Sequence, residues 1–128
     1  MNLYLILVVS VGGAIGSGAR YAMTTSIERV LGSGFPWWTM GVNVLGSLLM
    51  GAIVGGITLK FGLSQGGRAF LTAGVLGGFT TFSAYSLDVV NLFERQQYWS
   101  MAGYAVGSVV LSILALVVGF LSVRMALS

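Results

Sequence analysis

The sequence contains no cysteine, no histidine, a single proline and three acidic residues. Without cysteine there is no disulfide framework, no thiolate nucleophile and no sulfur-ligated metal site. Without histidine the commonest catalytic base and metal ligand is missing. One aspartate and two glutamates leave acid–base chemistry little to work with, so the sequence does not read as an enzyme. Charge itself is scarce: 7% of residues are charged, where a soluble domain carries about a quarter. The six basic residues are scattered, so the pI near 9.7 reflects no basic patch and gives no sign of nucleic-acid binding.

Apolar residues and glycine fill the chain instead. Of 128 residues 56% are hydrophobic, 20 are glycine, and the mean hydropathy is +0.95. Long apolar runs with so little charge indicate an all-α integral membrane protein. The opening "MNLYLILVV" lacks the positive n-region of a signal peptide and reads as the start of a retained helix. A hydrocarbon core about 30 Å thick needs ~20 apolar residues per helix. Four segments meet that length, from about Leu3 to Ile27, Trp37 to Leu59, Arg68 to Phe93 and Ser100 to Val123. Their linkers, "ERVLGSGFP", "KFGLSQGGR" and "ERQQYW", leave no room for a soluble domain, so residues 1–128 form one transmembrane unit.

Orientation should follow lysine and arginine near the span ends. One face receives Lys60, Arg68 and Arg124; the other receives Arg29 and Arg95, with Arg20 if it is counted at its nearer end. That near-tie permits insertion both ways and hence an antiparallel dimer, or an orientation fixed by one early charge. Every span also carries a glycine pair spaced by four: Gly12/Gly16, Gly51/Gly55, Gly74/Gly78 and Gly103/Gly107. Such pairs let helices approach closely in lipid, within one subunit or between two.

Polar side chains inside a span are costly, and a row of them on one face suggests a lined path or a buried seam. The second span carries Thr39, Asn43 and Ser47, and the fourth carries Ser100, Tyr104, Ser108 and Ser112, all at steps of four. Steps of four stay on one slowly rotating face. Hydroxyls often bond only the carbonyl one turn back, but two aligned tracks favour a conduit. They offer hydrogen bonds to an anion and lack the acidic ring of many cation pores. Arg20 and Asp88 are the charges nearest the interior, at similar depth. They can pair structurally, or Arg20 can sit in a wet vestibule and attract anions.

The third span is centred on "GGFTTFSAYS", residues 77–86, with Thr80 and Thr81 at the midplane. Gly77-Gly78 weakens the helix, and the following hydroxyls can satisfy backbone groups freed by a break. Broken helices at mid-membrane are where transporters and channels hold ions, cations on carbonyls and anions on N–H groups. Phe82 and Tyr85, three apart, either pack or turn positive ring edges toward an anion.

The run "GGFTTFSAYS", Asn43 in "GVNVLGS", Arg20 in "GSGARY" and the small four-span size resemble the Fluc (CrcB) fluoride channels over essentially the whole chain. That resemblance implies a dual-topology antiparallel homodimer in the cell's inner membrane, with two pores exporting fluoride passively. It implies a central sodium ion held by backbone carbonyls matching Gly77 and Thr80. It puts the pore-lining phenylalanine pair on Phe82 and position 85, the pore asparagine on Asn43 and the polar track on Tyr104, Ser108 and Ser112. Thr39, Thr81 and Ser83 join that expected fluoride pathway. There are two departures from the usual "TTFSTFS" pattern and its following acid: Ala84-Tyr85 stands where a Thr-Phe pair is typical, and Asp88 where many relatives carry Glu. The alternatives are a small dual-topology multidrug exporter, disfavoured because the first span has no acid before Glu28, a small membrane enzyme, disfavoured because Asp88 stands alone without acidic or metal-binding partners, and a membrane subunit without transport of its own.

Overall fold

The computed structural model describes residues 1–57, 60 and 62–128, and every regular element among them is helical. Helix α1 (Leu3–Leu31) starts at Asn2, whose side-chain oxygen accepts from the Leu5 N–H at 3.3 Å. It stops at Gly32, where φ is +81° and the N–H donates to the Glu28 carbonyl at 2.8 Å. The helix runs four residues past the expected end at Ile27 because polarity does not stop it. Thr25 and Ser26 bond carbonyls one turn back, and the chain stays helical into its charged end.

Helix α2 (Trp37–Ala52) follows Pro36 and continues as a π-helical turn, Ile53–Ile57. Its expected end, Leu59, lies outside the described residues. The third segment is composite. Helix α3 (Gln65–Ala69) is capped by Ser64, whose hydroxyl accepts from the Gly67 N–H at 3.0 Å. A π-helical stretch (Phe70–Leu76) and helix α4 (Gly77–Phe79) carry it to a break, and helix α5 (Phe82–Glu94) completes it. Helix α6 (Tyr98–Leu127) closes the chain.

Among the described residues, three stretches are long and apolar enough to cross a membrane: Leu3–Leu31, Trp37–Gly56 and Tyr98–Leu127. In the most apolar windows of α1 and α6 only 11% is buried. Helices apolar on their outward faces need lipid or another protein around them.

Glycines set the spacing. Tyr4 lies against Gly66, Gly12 against Gly74, and Gly16 against Val75 and Phe79, so α1 runs parallel to the α3–α4 half of the third segment. A Cβ on Gly78 would sit 2.6 Å from the Gly13 carbonyl oxygen, and one on Gly12 would sit 2.7 Å from that of Phe70. The pairs Gly12/Gly16 and Gly74/Gly78 thus face each other at backbone contact, where dispersion gains are greatest. Helix α2 lies parallel on α6 through Gly51, Gly55 and Gly119. The fourth pair behaves differently. A Cβ on Gly103 would meet nothing within 4 Å, and one on Gly107 only the Met40 methyl at 4.0 Å. Gly103/Gly107 does not pack within the chain.

Candidate functional site

The break in the third segment is where the side chains converge, and it lies three residues beyond the glycines expected to cause it. Gly77 is right-handed helical, with φ −63° and ψ −36°. The helix ends instead at Thr80 (ψ 158°) and Thr81 (φ −151°, ψ 124°), both extended. Gly78 serves close packing on α1, and the break is stabilised from α2. The Asn43 amide donates to the Thr81 carbonyl at 2.9 Å, and its oxygen accepts from the Thr81 N–H at 2.8 Å. One side chain thus pairs with both polar groups of a single residue, as a neighbouring strand would. The amide nitrogen carries two N–H groups, so one stays free for another acceptor.

This arrangement exposes opposite helix ends at mid-segment. In an unbroken helix the Gly77 carbonyl would accept from the Thr81 N–H, which here goes to Asn43. Thr80 spends its N–H and its hydroxyl on the Leu76 carbonyl, both at 3.0 Å. On the far side Thr81 caps α5, its hydroxyl accepting from the Ala84 N–H at 3.1 Å and lying 3.3 Å from the Ser83 hydroxyl. The first N–H groups of α5 form the positive end of a 13-residue helix.

A cavity of about 390 Å³ opens beside the break. It brings together Asn43 and Ser47 of α2, Thr80, Thr81, Phe82 and Tyr85 of the third segment, and Ser108 and Ser112 of α6. The two polar tracks therefore meet in one space. Ser108 is 4% exposed and its hydroxyl has no hydrogen-bond partner among the described residues. Serine in a helix ordinarily bonds the carbonyl one turn back, as Ser86 does to Phe82. A buried hydroxyl without a partner costs roughly 1–3 kcal/mol, so Ser108, a residue of the cavity wall, carries an unfilled polar function.

Aromatic rings extend from the cavity. Phe82 is 76% exposed, and its ring centroid lies 5.3 Å from that of Tyr85. Tyr85 lies 5.4 Å from Tyr104, which meets Phe35 edge-on at 5.6 Å. Tyr104 is fully buried and donates its hydroxyl to Asp88 at 2.9 Å. The Tyr85 hydroxyl donates to the Ala105 carbonyl at 2.7 Å.

Several expected residues lie outside the cavity. Thr39 is buried one turn from Asn43, Ser83 is exposed beside Thr81, and Gly77 is exposed on α4. Arg20 is half-buried on α1 and lines neither cavity. It does not pair with Asp88, whose carboxylate lines a second cavity of about 430 Å³ with Glu28, Glu94 and Arg95. Sequence reasoning missed the apolar half of the wall: Met50, Val109, Ile113 and Leu116. Their signal was spacing, since Met50 follows Asn43 by seven and Ser47 by three, while Val109 and Ile113 each follow a track serine by one. It also missed Phe35, which a loop position ahead of Pro36 disguised.

Comparison with known proteins fits this architecture. Residues 7–120 match the family described as CrcB-like protein, Camphor Resistance (CrcB). A protein of Nitrobacter winogradskyi named fluoride-specific ion channel FluC is 47% identical over 124 residues, covering 97% of this chain and 98% of that one. Proteins of the same name from a Chelativorans species and from Phenylobacterium zucineum are 49% and 45% identical, over 91% and 93% of this chain and 94% of each relative. With a glycine-packed helical bundle, a braced break and matching sequence along nearly its full length, this chain belongs to the CrcB-like family.

Proposed function

We propose that the chain is a fluoride-selective passive channel of the plasma membrane, and that the cavity at the break is part of its anion path. The observation that carries this is the buried, unpartnered Ser108 hydroxyl. Ser108 lines a space together with Asn43, Ser47, Ser112, Phe82 and Tyr85. Fluoride is small and strongly hydrated, so a path must replace its water with donors. The free Asn43 N–H, the serine hydroxyls and the first N–H groups of α5 supply donors, and the rings supply positive edges. None of these carries full charge, so the ion is held without being trapped. Three carboxylates and no histidine give no proton relay, and flux follows the fluoride gradient and the membrane potential.

Two further features support an antiparallel homodimer with two such paths. Gly77 and Phe82, on either side of the break, are exposed, and irregular backbone at mid-membrane is tolerated only where protein or water covers it. A second copy would provide that cover, and the near-tie of basic residues between the two ends permits the opposite insertion. The Gly77 and Thr80 carbonyls suit a sodium ion shared between copies, since they lie where the helix has lost its donors and oxygen is the ligand such a cation takes. Bound there, the ion would supply positive charge close to both paths.

Ser108→Ala tests the reading. It removes a hydroxyl without breaking a hydrogen bond, so thermal stability in detergent should hold or rise. Fluoride efflux from liposomes should fall about tenfold, the worth of one hydrogen bond to a charged group. Unchanged flux would remove Ser108 from the path.

A further inference from the structure

We propose that the Tyr85 hydroxyl is a positioning pin that fixes its ring beside the anion path, and that it is not itself an anion ligand; this rests on the channel reading above. Tyr85 lies one turn into α5, beside Phe82, with its ring on the cavity wall. A phenol has one proton to donate, and here it goes to the Ala105 carbonyl at 2.7 Å, twenty residues away on α6. What remains on the oxygen is lone pairs, which repel an anion. The part of Tyr85 available to an anion is therefore the ring edge, at an angle set by the bond.

The need for a pin is visible in α5 itself. Only Leu92 is buried along this helix, while Phe82, Leu87, Val90 and Phe93 are exposed. Its N-terminus follows an extended break, so the preceding helix does not fix its direction. Two interhelical bonds hold it on α6, and they run in opposite directions. Tyr85 of α5 donates to Ala105 of α6, and Tyr104 of α6 donates to Asp88 of α5. Each donor lies close in sequence to the other's acceptor: Tyr85 and Asp88 are three apart on α5, and Tyr104 and Ala105 are consecutive on α6. Their rings lie 5.4 Å apart, so each bond also holds the other's ring. The result is a reciprocal tyrosine clamp that orients the wall of the path from behind. A phenylalanine at position 85 would keep the ring and lose half of the clamp.

The test uses the whole protein with tyrosine labelled by 13C at the hydroxyl-bearing carbon. Five tyrosines give five signals, and Tyr85→Phe identifies the one at position 85. Added sodium fluoride should leave that signal in place, because its hydroxyl stays on Ala105. A fluoride-dependent shift would make the hydroxyl an anion ligand and overturn the proposal. In liposomes, Tyr85→Phe should retain fluoride over chloride selectivity while the half-saturating fluoride concentration rises about fivefold, the worth of one ordinary hydrogen bond. Half-saturation and maximal flux both unchanged would also overturn it. The spectroscopic arm does not depend on conduction: a wild-type protein that carries no fluoride would refute the channel reading while the labelled signal still decides the pin.

Discussion

Replacing Asn43 with leucine, which has nearly the same shape, removes both bonds that stabilise the break. The 2.9 Å bond to the Thr81 carbonyl and the 2.8 Å bond from the Thr81 N–H are lost together. Thr81 is buried, so water does not readily replace the amide. A buried polar group left without a partner costs roughly 1–3 kcal/mol, or about 2–6 for the pair. Interhelical bonds in bilayers average only ~0.6 kcal/mol, which would make about 1.2 for the pair. The lower figure describes partners that can find other bonds. Thr80 and Thr81 are extended between two helix ends, and regaining the helix would mean moving α5. A loss near 3 kcal/mol is therefore expected. At roughly 3–5 °C per kcal/mol for a chain of this size, thermal unfolding in detergent should begin about 9–15 °C lower. Hydrogen exchange should show the Thr81 amide losing its protection. A shift below about 2 °C, with that amide still protected, would refute the brace and leave Asn43 only as a pore residue.

Other outcomes separate packing from conduction. Gly78→Ala places a methyl 2.6 Å from the Gly13 carbonyl oxygen and 3.0 Å from its Cα, so backbone must move; a loss of about 1–3 kcal/mol in thermal unfolding is expected. Gly103→Ala meets nothing within 4 Å and gains up to ~1 kcal/mol of helix propensity, so the same assay should show no loss. Phe82→Ile should strongly slow fluoride flux while thermal unfolding in detergent is little changed, because a ring 76% exposed contributes little to packing within the chain. Surviving flux would make Phe82 a packing residue.

The sequence exposed the ingredients of the site more readily than their connections. Spacing by four put Asn43, Ser47, Ser108 and Ser112 on inward faces, and all four meet at one cavity. It did not show that Asn43 is already paired with Thr81, because that bond spans 38 residues and depends on how α2 docks. The glycine pair at 77–78 pointed to the right neighbourhood for the wrong reason. The bareness of Gly78 serves contact with Gly13, and the break falls where threonine and asparagine can replace helical bonds. Depth counting brought Arg20 and Asp88 to one level of the membrane. It carried no information on azimuth, and Asp88 turns to Tyr104 instead. Nor did the sequence name the Ala105 carbonyl, twenty residues away on α6, as the partner of the Tyr85 hydroxyl. Composition marked the chain as a membrane protein without difficulty, since length and hydropathy are local properties.

The central claim is tested most directly by loading liposomes that contain the purified protein with potassium fluoride and recording release with a fluoride electrode, in a parallel run with chloride. The expected result is fluoride release that needs no proton gradient, is set by membrane voltage, and has no chloride counterpart. Equal passage of chloride, or release that appears only with a proton gradient, would contradict it.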